Sequence, residues 1–256
     1  MSMTANERRQ VLLDHIMKAG SAQVDELATQ FAVSRMTVHR DLDVLVEQGI
    51  VRKVHGGVTM HPSSLVESNL IYRSQLAAKE KAAIARAAAG YIEPGQAIIL
   101  DDSSTVAALT YHLPALKPLT VITNSLGVID RLKDAHGVKT LCLGGDYNAR
   151  FNAFFGLLCE QAIASLRANT LFMSVSAVIG TMAYHQEEDV VKAKRALMAA
   201  VDRRILLVDS TKFAMTALNR LAGLSEFDLV ITDEGVEPAQ MAALRDEKIN
   251  VVVAPL

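Results

Sequence analysis

Ser34-Arg35-Met36-Thr37-Val38-His39-Arg40-Asp41-Leu42 reads as the start of a helix with one apolar face and one basic face. Val38, Leu42, Leu45 and Val46 follow the i, i+4, i+7, i+8 spacing that buries one side of a helix. Ser34 stands at the N-cap, where its hydroxyl can accept from a free backbone N–H of the first turn. Arg35, Met36, His39 and Arg40 are then directed outward near the helix N-terminus. A helix that enters the major groove reaches base edges and phosphates from these early positions. Taken alone, the stretch suits an ordinary solvated amphipathic helix equally well, so its flanks decide.

On the N-terminal side, residues 7–19 carry Val11, Leu12, Ile16 and Met17 at helical spacing, and Gly20 ends that helix. Residues 24–31 form a short second helix with Asp25 and Glu26 at its positively polarised end. Phe31-Ala32-Val33 turns into the third helix, which runs to about Gln48 and stops at Gly49. On the C-terminal side, Ile50-Val51-Arg52-Lys53-Val54-His55-Gly56-Gly57-Val58 predicts a small hairpin with basic side chains. Three helices followed by a basic ribbon is the layout of a winged helix-turn-helix.

Arg9, Leu13 and Met17, followed by Ser34-x-x-Thr37-Val38-His39-Arg40-Asp41-Leu42, resemble the helix-turn-helix of DeoR-type bacterial repressors. The stretch Arg52-Lys53-Val54-His55-Gly56-Gly57-Val58 resembles that family's wing. One departure is His39, where most members carry arginine; it lowers the charge at that position near neutral pH. Arg35, His39 and Arg40 are expected to make groove and phosphate contacts, with Ser34 capping the helix and Thr37 able to bond a phosphate. Arg52, Lys53 and His55 on the wing are expected to hold the backbone alongside. Phosphate contacts set register and base contacts discriminate sequence; the residues alone do not divide these side chains between the two roles.

Charge does not announce a nucleic-acid partner. The formal net charge is −2, and the first sixty residues hold seven Lys/Arg against seven Asp/Glu. A DNA surface must come from placement. Half the residues are hydrophobic and 21% are charged, which predicts a packed core and excludes broad disorder. The chain shows no apolar run of membrane-spanning length and no signal peptide, so a cytoplasmic location is expected. Cys142 and Cys159 lie in apolar runs and are read as core residues, too few for a zinc site; no metal and no cofactor is expected.

The boundaries read as a winged helix-turn-helix domain over residues 1–58, a linker over 59–75 and an α/β domain over 76–256. Residues 59–68 are polar with one proline, and residues 72–91 predict one long helix. Short apolar runs at 97–100, 119–122, 139–143, 171–175, 205–208, 228–231 and 250–253 then alternate with helices. That pattern predicts a mostly parallel sheet covered on both faces, with ligands at the carboxyl ends of its strands. At the first such end, Asp101-Asp102-Ser103-Ser104-Thr105 offers hydroxyls and backbone N–H groups suited to a phosphate, although an N-capping serine in a plain turn fits too. Asn124 can bond sugar hydroxyls, Gly144-Gly145 permits close backbone approach, and Lys212 can neutralise a phosphate.

This half resembles the DeoR-type effector domain, which is similar in fold to ribose-5-phosphate isomerase and glucosamine-6-phosphate deaminase. The resemblance rests on the 101–105 loop, Val121-Ile122-Thr123-Asn124, Gly144-Gly145 and Asp209-Ser210-Thr211-Lys212, in that order. Tyr184-His185-Gln186-Glu187-Glu188, ahead of Lys192-Ala193-Lys194-Arg195, resembles a variant of the ligand-proximal region. It implies a transcriptional repressor of a sugar-metabolism operon that binds double-stranded operator DNA as a homodimer or homotetramer, with a phosphorylated sugar as effector. The competing reading is a sugar-phosphate isomerase or deaminase with an added DNA-binding segment. Isomerases of this fold carry an acidic pair after the central strand, where this chain has Ser174-Val175-Ser176. Serine is no general base near neutral pH, so a non-enzymatic role is expected.

Overall fold

The computed structural model describes residues 4–47, 51–60 and 70–256, and the chain divides into two compact units, Met1–Tyr72 and Arg73–Leu256. In the first unit, helix α1 (Ala5–Ala19) starts on a Thr4–Glu7 capping box and ends at Gly20. Strand β1 (Ser21–Gln23), helix α2 (Val24–Gln30) and helix α3 (Arg35–Glu47) follow. Strands β2 (Val51–Val54) and β3 (Gly57–Met60) form the wing hairpin, and β1 pairs with the other edge of β3. Leu12, Leu13, Ile16, Leu27, Val38, Leu42 and Leu45 close one core together with Val51 and Val58. Burying each of these side chains fully contributes about 1.5–3 kcal/mol.

Several details differ from expectation. Val11 is exposed, because the buried stripe of α1 runs through Leu12, Leu13 and Ile16 instead. The wing does not end at residue 58: Thr59 pairs with Ser21, and Thr59 also donates to the Gly20 carbonyl, so the residue expected to open the linker belongs to the sheet. The helix stop at Gly49, the side chain of Met17 and the linker residues 61–69 lie outside the described residues. Strand β1 was not foreseen, and it explains the Gly-Gly pair. A Cβ on Gly57 would stand 2.3 Å from the Ala22 carbonyl oxygen, so β1 and β3 can meet only where that position has no side chain.

In the second unit the single helix expected over 72–91 is broken. Helix α4 (Leu70–Gln75) and helix α5 (Ala78–Ala89) are separated by Leu76 and Ala77, the latter at a left-handed φ of 50°. The Arg73 and Leu76 carbonyls that a continuous helix would have used accept instead from Lys81 Nζ.

Strand and helix then alternate through β4 (Ala97–Leu100), α6 (Ser104–Leu109), β5 (Leu119–Thr123), α7 (Leu126–Leu132) and β6 (Val138–Cys142). A hairpin of β7 (Asp146–Asn148) and β8 (Ala153–Phe155) precedes α8 (Leu157–Ala164) and β9 (Ala168–Met173). Strands β10 (Ala177–Ile179) and β11 (Met182–His185) precede α9 (Glu188–Ala199) and β12 (Val201–Leu207). The chain ends with β13 (Asn219–Gly223), β14 (Leu229–Asp233), α10 (Pro238–Asp246) and β15 (Val251–Ala254). Seven of these strands make one sheet in the order β15-β14-β12-β9-β4-β5-β6, and all its pairs are parallel.

All seven runs predicted from sequence lie in this sheet. Successive residues face opposite ways: Ile98, Leu100, Phe172, Ile205 and Leu207 pack in one layer, and Ile99, Leu171, Met173 and Leu206 in the other. Both faces are covered, which is why these strands read as unbroken apolar runs. From β4 the chain winds outward through β5 and β6, then returns to β9 and winds the other way. The β4–β9 junction is therefore the topological switch point, the place where an open parallel sheet leaves a crevice at its carboxyl ends.

Candidate functional site

In the first unit, Ser34 Oγ accepts from the Thr37 backbone N–H at 3.1 Å and lies 2.9 Å from the Thr37 hydroxyl, so Ser34 caps α3 as expected. The Thr37 hydroxyl thus already has a partner, and a phosphate would have to compete with Ser34 for it. Arg35, Met36, His39 and Arg40 are exposed while Val38 and Leu42 are buried, which turns a basic edge of α3 outward. On the wing, Arg52, Lys53 and His55 are exposed. His39 lies where the helix meets the wing and lines a shallow cavity of about 100 Å³ with Lys53, Val54 and Gly56.

Placement resolves the balanced charge. Asp41 is buried and accepts from Arg8 Nε at 2.5 Å and Arg8 Nη2 at 3.2 Å, with Arg9 Nη1 at 3.9 Å, so this carboxylate joins α1 to α3 and leaves the outer face. Arg35 pairs with Asp25, and Lys53 with Asp43 at 2.5 Å. Such exposed pairs contribute only about 0–1 kcal/mol, so a DNA phosphate can displace either acid. Among the described residues, no ion pair engages Arg40, Arg52, His39 or His55.

In the second unit, the predicted residues sit at consecutive strand ends around the switch point. Asp101 is fully buried. Its Oδ1 accepts from the Ser103 backbone N–H at 2.9 Å and hydroxyl at 2.6 Å; its Oδ2 accepts from the Ser174 backbone N–H at 2.9 Å and from Lys194 Nζ. Asp101 therefore ties β4 to β9 across the switch point and shapes the loop, with no lone pair left over for a ligand. Lys194 Nζ also stands 3.4 Å from Asp102 Oδ1. Ser103 caps α6 by accepting from the Val106 N–H at 3.3 Å, which commits its oxygen locally. Ser104 and Thr105 follow in the first turn of α6.

At the end of β5, Asn124 Nδ2 donates to the Phe154 carbonyl at 3.0 Å, and its buried Oδ1 accepts from no protein group. At the end of β6 the two glycines separate in role. A Cβ on Gly145 would meet the Phe155 carbonyl oxygen at 2.4 Å, so this glycine serves hairpin packing; Gly144 has open space where its Cβ would stand. Beyond β12, the Thr211 hydroxyl donates to Asp209 Oδ1, while Asp209 Oδ2 is buried without a hydrogen-bond partner. Among the described residues, the hydrogen bonding of Lys212 Nζ is confined to a 3.8 Å contact with Met215 Sδ. β4 and β12 are separated by β9 alone, so two inter-strand steps of about 4.8 Å put their ends about 10 Å apart. The loop at 101–105, Asn124 and the segment 209–212 thus lie along the carboxyl-end edge of the sheet, with the ends of β5 and β12 three inter-strand steps, about 14 Å, apart, while Gly145 packs into the hairpin.

Three cations escaped the sequence reading. Lys194 sits on the buried stripe of α9 with Val190, Val191, Leu197 and Met198; a lysine at an apolar position of that stripe was the available signal. Lys81 is buried, and burial pushes its ammonium down to about 8, with Asp209 opposing that shift and Lys212 and Arg73 adding to it. Arg73 stacks over the Phe151 ring at 5.3 Å. Among the described residues, no group of His, Cys, Asp and Glu is arranged to hold a metal ion, and no helix is long and apolar enough to cross a membrane.

Comparison with known proteins covers nearly the whole chain. Residues 8–64 match the DeoR-like helix-turn-helix domain, and residues 76–234 match the DeoR C terminal sensor domain. An uncharacterized HTH-type transcriptional regulator of Escherichia coli, YgbI, is 34% identical over 97% of each chain. The L-fucose operon activator of Haemophilus influenzae is 33% identical over 90% of this chain and 93% of its own. The lactose phosphotransferase system repressor of Lactococcus lactis is 31% identical over 93% of this chain and 95% of its own.

Proposed function

The chain belongs to the DeoR family of helix-turn-helix transcriptional regulators, and on that premise we propose that it represses an operon of sugar metabolism under the control of a phosphorylated sugar. In this reading residues 1–58 bind double-stranded operator DNA through Ser34, Arg35, Thr37, His39, Arg40, Arg52, Lys53 and His55. The connecting segment follows β3, which ends at Met60, and residues 76–256 bind the effector and assemble the homodimer or homotetramer that pairs two DNA-binding heads. Pairing matters because two half-sites about one DNA turn apart raise affinity and specificity together.

The observation that carries the effector assignment is the pair of buried acceptors without protein donors, Asn124 Oδ1 and Asp209 Oδ2, at the carboxyl ends of β5 and β12 on either side of the switch point. A buried polar atom left unmatched costs about 1–3 kcal/mol, and hydroxyl groups of a bound sugar would satisfy it. Ser104, Thr105 and Lys212 supply donors for the phosphate. Asp101, Asp102 and Ser103 shape that loop, and Gly144 leaves space at its flank. A relative named as a fucose operon activator and another named as a lactose phosphotransferase system repressor support the sugar class. Turnover is not part of the proposal: Ser174 and Ser176 offer no general base near neutral pH.

A thermal-shift screen of free and phosphorylated sugars tests the reading, because a ligand of the folded state raises the melting temperature. A phosphorylated sugar is expected to shift it and to release the protein from a duplex selected out of a random DNA pool. Tighter binding to that duplex would make the protein an activator or co-repressed regulator; no shift with any phosphorylated sugar would remove the effector assignment.

A further inference from the structure

We infer that Lys81 couples the effector crevice to helix α4, the helix by which the chain passes from the DNA-binding unit into the sensor unit. The inference rests on the effector reading above. The side chain of Lys81 is buried, and its Nζ donates to the carbonyl oxygens of Arg73 and Leu76, the latter at 2.7 Å. These two carbonyls lie at the C-terminal end of α4, released by the left-handed turn at Ala77. A single ammonium therefore holds the point where α4 stops. Two of its electrostatic neighbours belong to the strand end after β12: Asp209 stabilises its charge, and Lys212 opposes it.

A second line of contact reaches the same turn of α4. The Arg73 guanidinium lies 5.3 Å from the centroid of the Phe151 ring, and that ring lies 5.8 Å from the imidazole of His185, the last residue of β11. Phe151 is buried, in the loop between β7 and β8, and the next residue back, Arg150, is ion-paired with Glu187 at 2.7 Å. The end of α4 is thus attached to two groups of strand-end residues, one through charge and one through packed rings.

The direction of the effect follows from the signs. Lys212 and Arg73 oppose the charge of Lys81, while Asp209 and Glu80 favour it. An anion held by Lys212 adds negative charge within reach of Lys81, in surroundings where charges are weakly screened. It therefore favours the charged form of Lys81, the form that makes charge-assisted bonds to the Arg73 and Leu76 carbonyls, and so stiffens the end of α4. An uncharged ligand of the same shape would not.

Hydrogen exchange on the full-length protein tests the coupling, with inorganic phosphate, ribose 5-phosphate and glucose 6-phosphate as probes. In the wild type, a probe that slows exchange at residues 209–213 is expected to slow it at residues 73–80 with the same midpoint concentration. Lys81→Gln keeps an amide donor without the charge; it is expected to preserve the slowing at 209–213 and to lose it severalfold at 73–80. Lys81→Arg is expected to restore the slowing at 73–80. Slowing at 209–213 alone in the wild type, or undiminished slowing at 73–80 in Lys81→Gln, overturns the coupling and leaves the effector site standing. No response at 209–213 to any probe overturns the effector site as drawn, and the coupling with it. If Lys81→Gln melts below the assay temperature, the two wild-type midpoints decide alone.

Discussion

Lys194 stands between two buried carboxylates, with its Nζ bonded to Asp101 Oδ2 and 3.4 Å from Asp102 Oδ1. Because Asp101 also takes the Ser174 N–H, this one ammonium helps hold β4 to β9 at the switch point. Lys194→Met removes the counter-charge from both carboxylates while nearly conserving volume. The expected cost is about 3–5 kcal/mol, as for a buried ion pair that loses one partner. Urea denaturation of the full-length protein, followed by circular dichroism, measures it. A loss within experimental error of zero would show that the carboxylates are neutralised some other way.

Arg40 is exposed, with no ion pair among the described residues, so its removal leaves the fold intact. In a gel shift with a selected duplex, Arg40→Ala is expected to abolish binding at moderate salt with an unchanged melting temperature. If Arg40 contacts a phosphate, the salt dependence of the residual binding falls by about one counterion; a base contact would instead relax sequence preference.

Gly57 admits no side chain, because its Cβ would stand 2.3 Å from the Ala22 carbonyl oxygen. Gly57→Ala is expected to push β1 off the wing and to cost about 1–3 kcal/mol, the usual range for overpacking. Faster hydrogen exchange confined to residues 21–23 and 57–60 would verify the mechanism. Protection equal to the wild type in those strands would refute it.

Lys81 makes stability depend on pH in a set direction. Burial lowers its value from 10.5 in the unfolded chain to about 8 in the folded protein. Between those values the unfolded chain binds more protons, so this group adds stability as pH rises from about 8 towards 10.5; below about 8 its full penalty applies. The difference in unfolding free energy between wild type and Lys81→Met, measured across that window, is expected to move in favour of the wild type with rising pH. A flat difference would contradict the burial of the charged amine.

The elements that sequence made legible are those built from local pattern. The seven sheet strands announced themselves because both of their faces are buried, which forces continuous apolar runs such as Ala97-Ile98-Ile99-Leu100. The recognition helix was visible because Val38 and Leu42 face inward at helical spacing while Arg35, His39 and Arg40 face out. What stayed hidden was every feature whose cause lies far along the chain. No local pattern marks Asp41 for its partner Arg8, 33 residues away, or Lys194 for its partner Asp101, 93 residues away.

The amino-acid sequence by itself determined the family, the winged helix-turn-helix, the parallel sheet and the strand ends that carry the candidate site. Each of these follows from the periodicity of apolar residues and from short motifs read within a few turns. Tertiary structure alone decided which polar residues at those strand ends remain available. It committed Asp101 and Ser103 to internal bonds, gave Gly145 to hairpin packing, left Asn124 Oδ1 and Asp209 Oδ2 without donors, and broke the 72–91 helix at Ala77. The physical reason is that hydrogen-bond partners and buried charges are paired in space, at separations that no local pattern encodes.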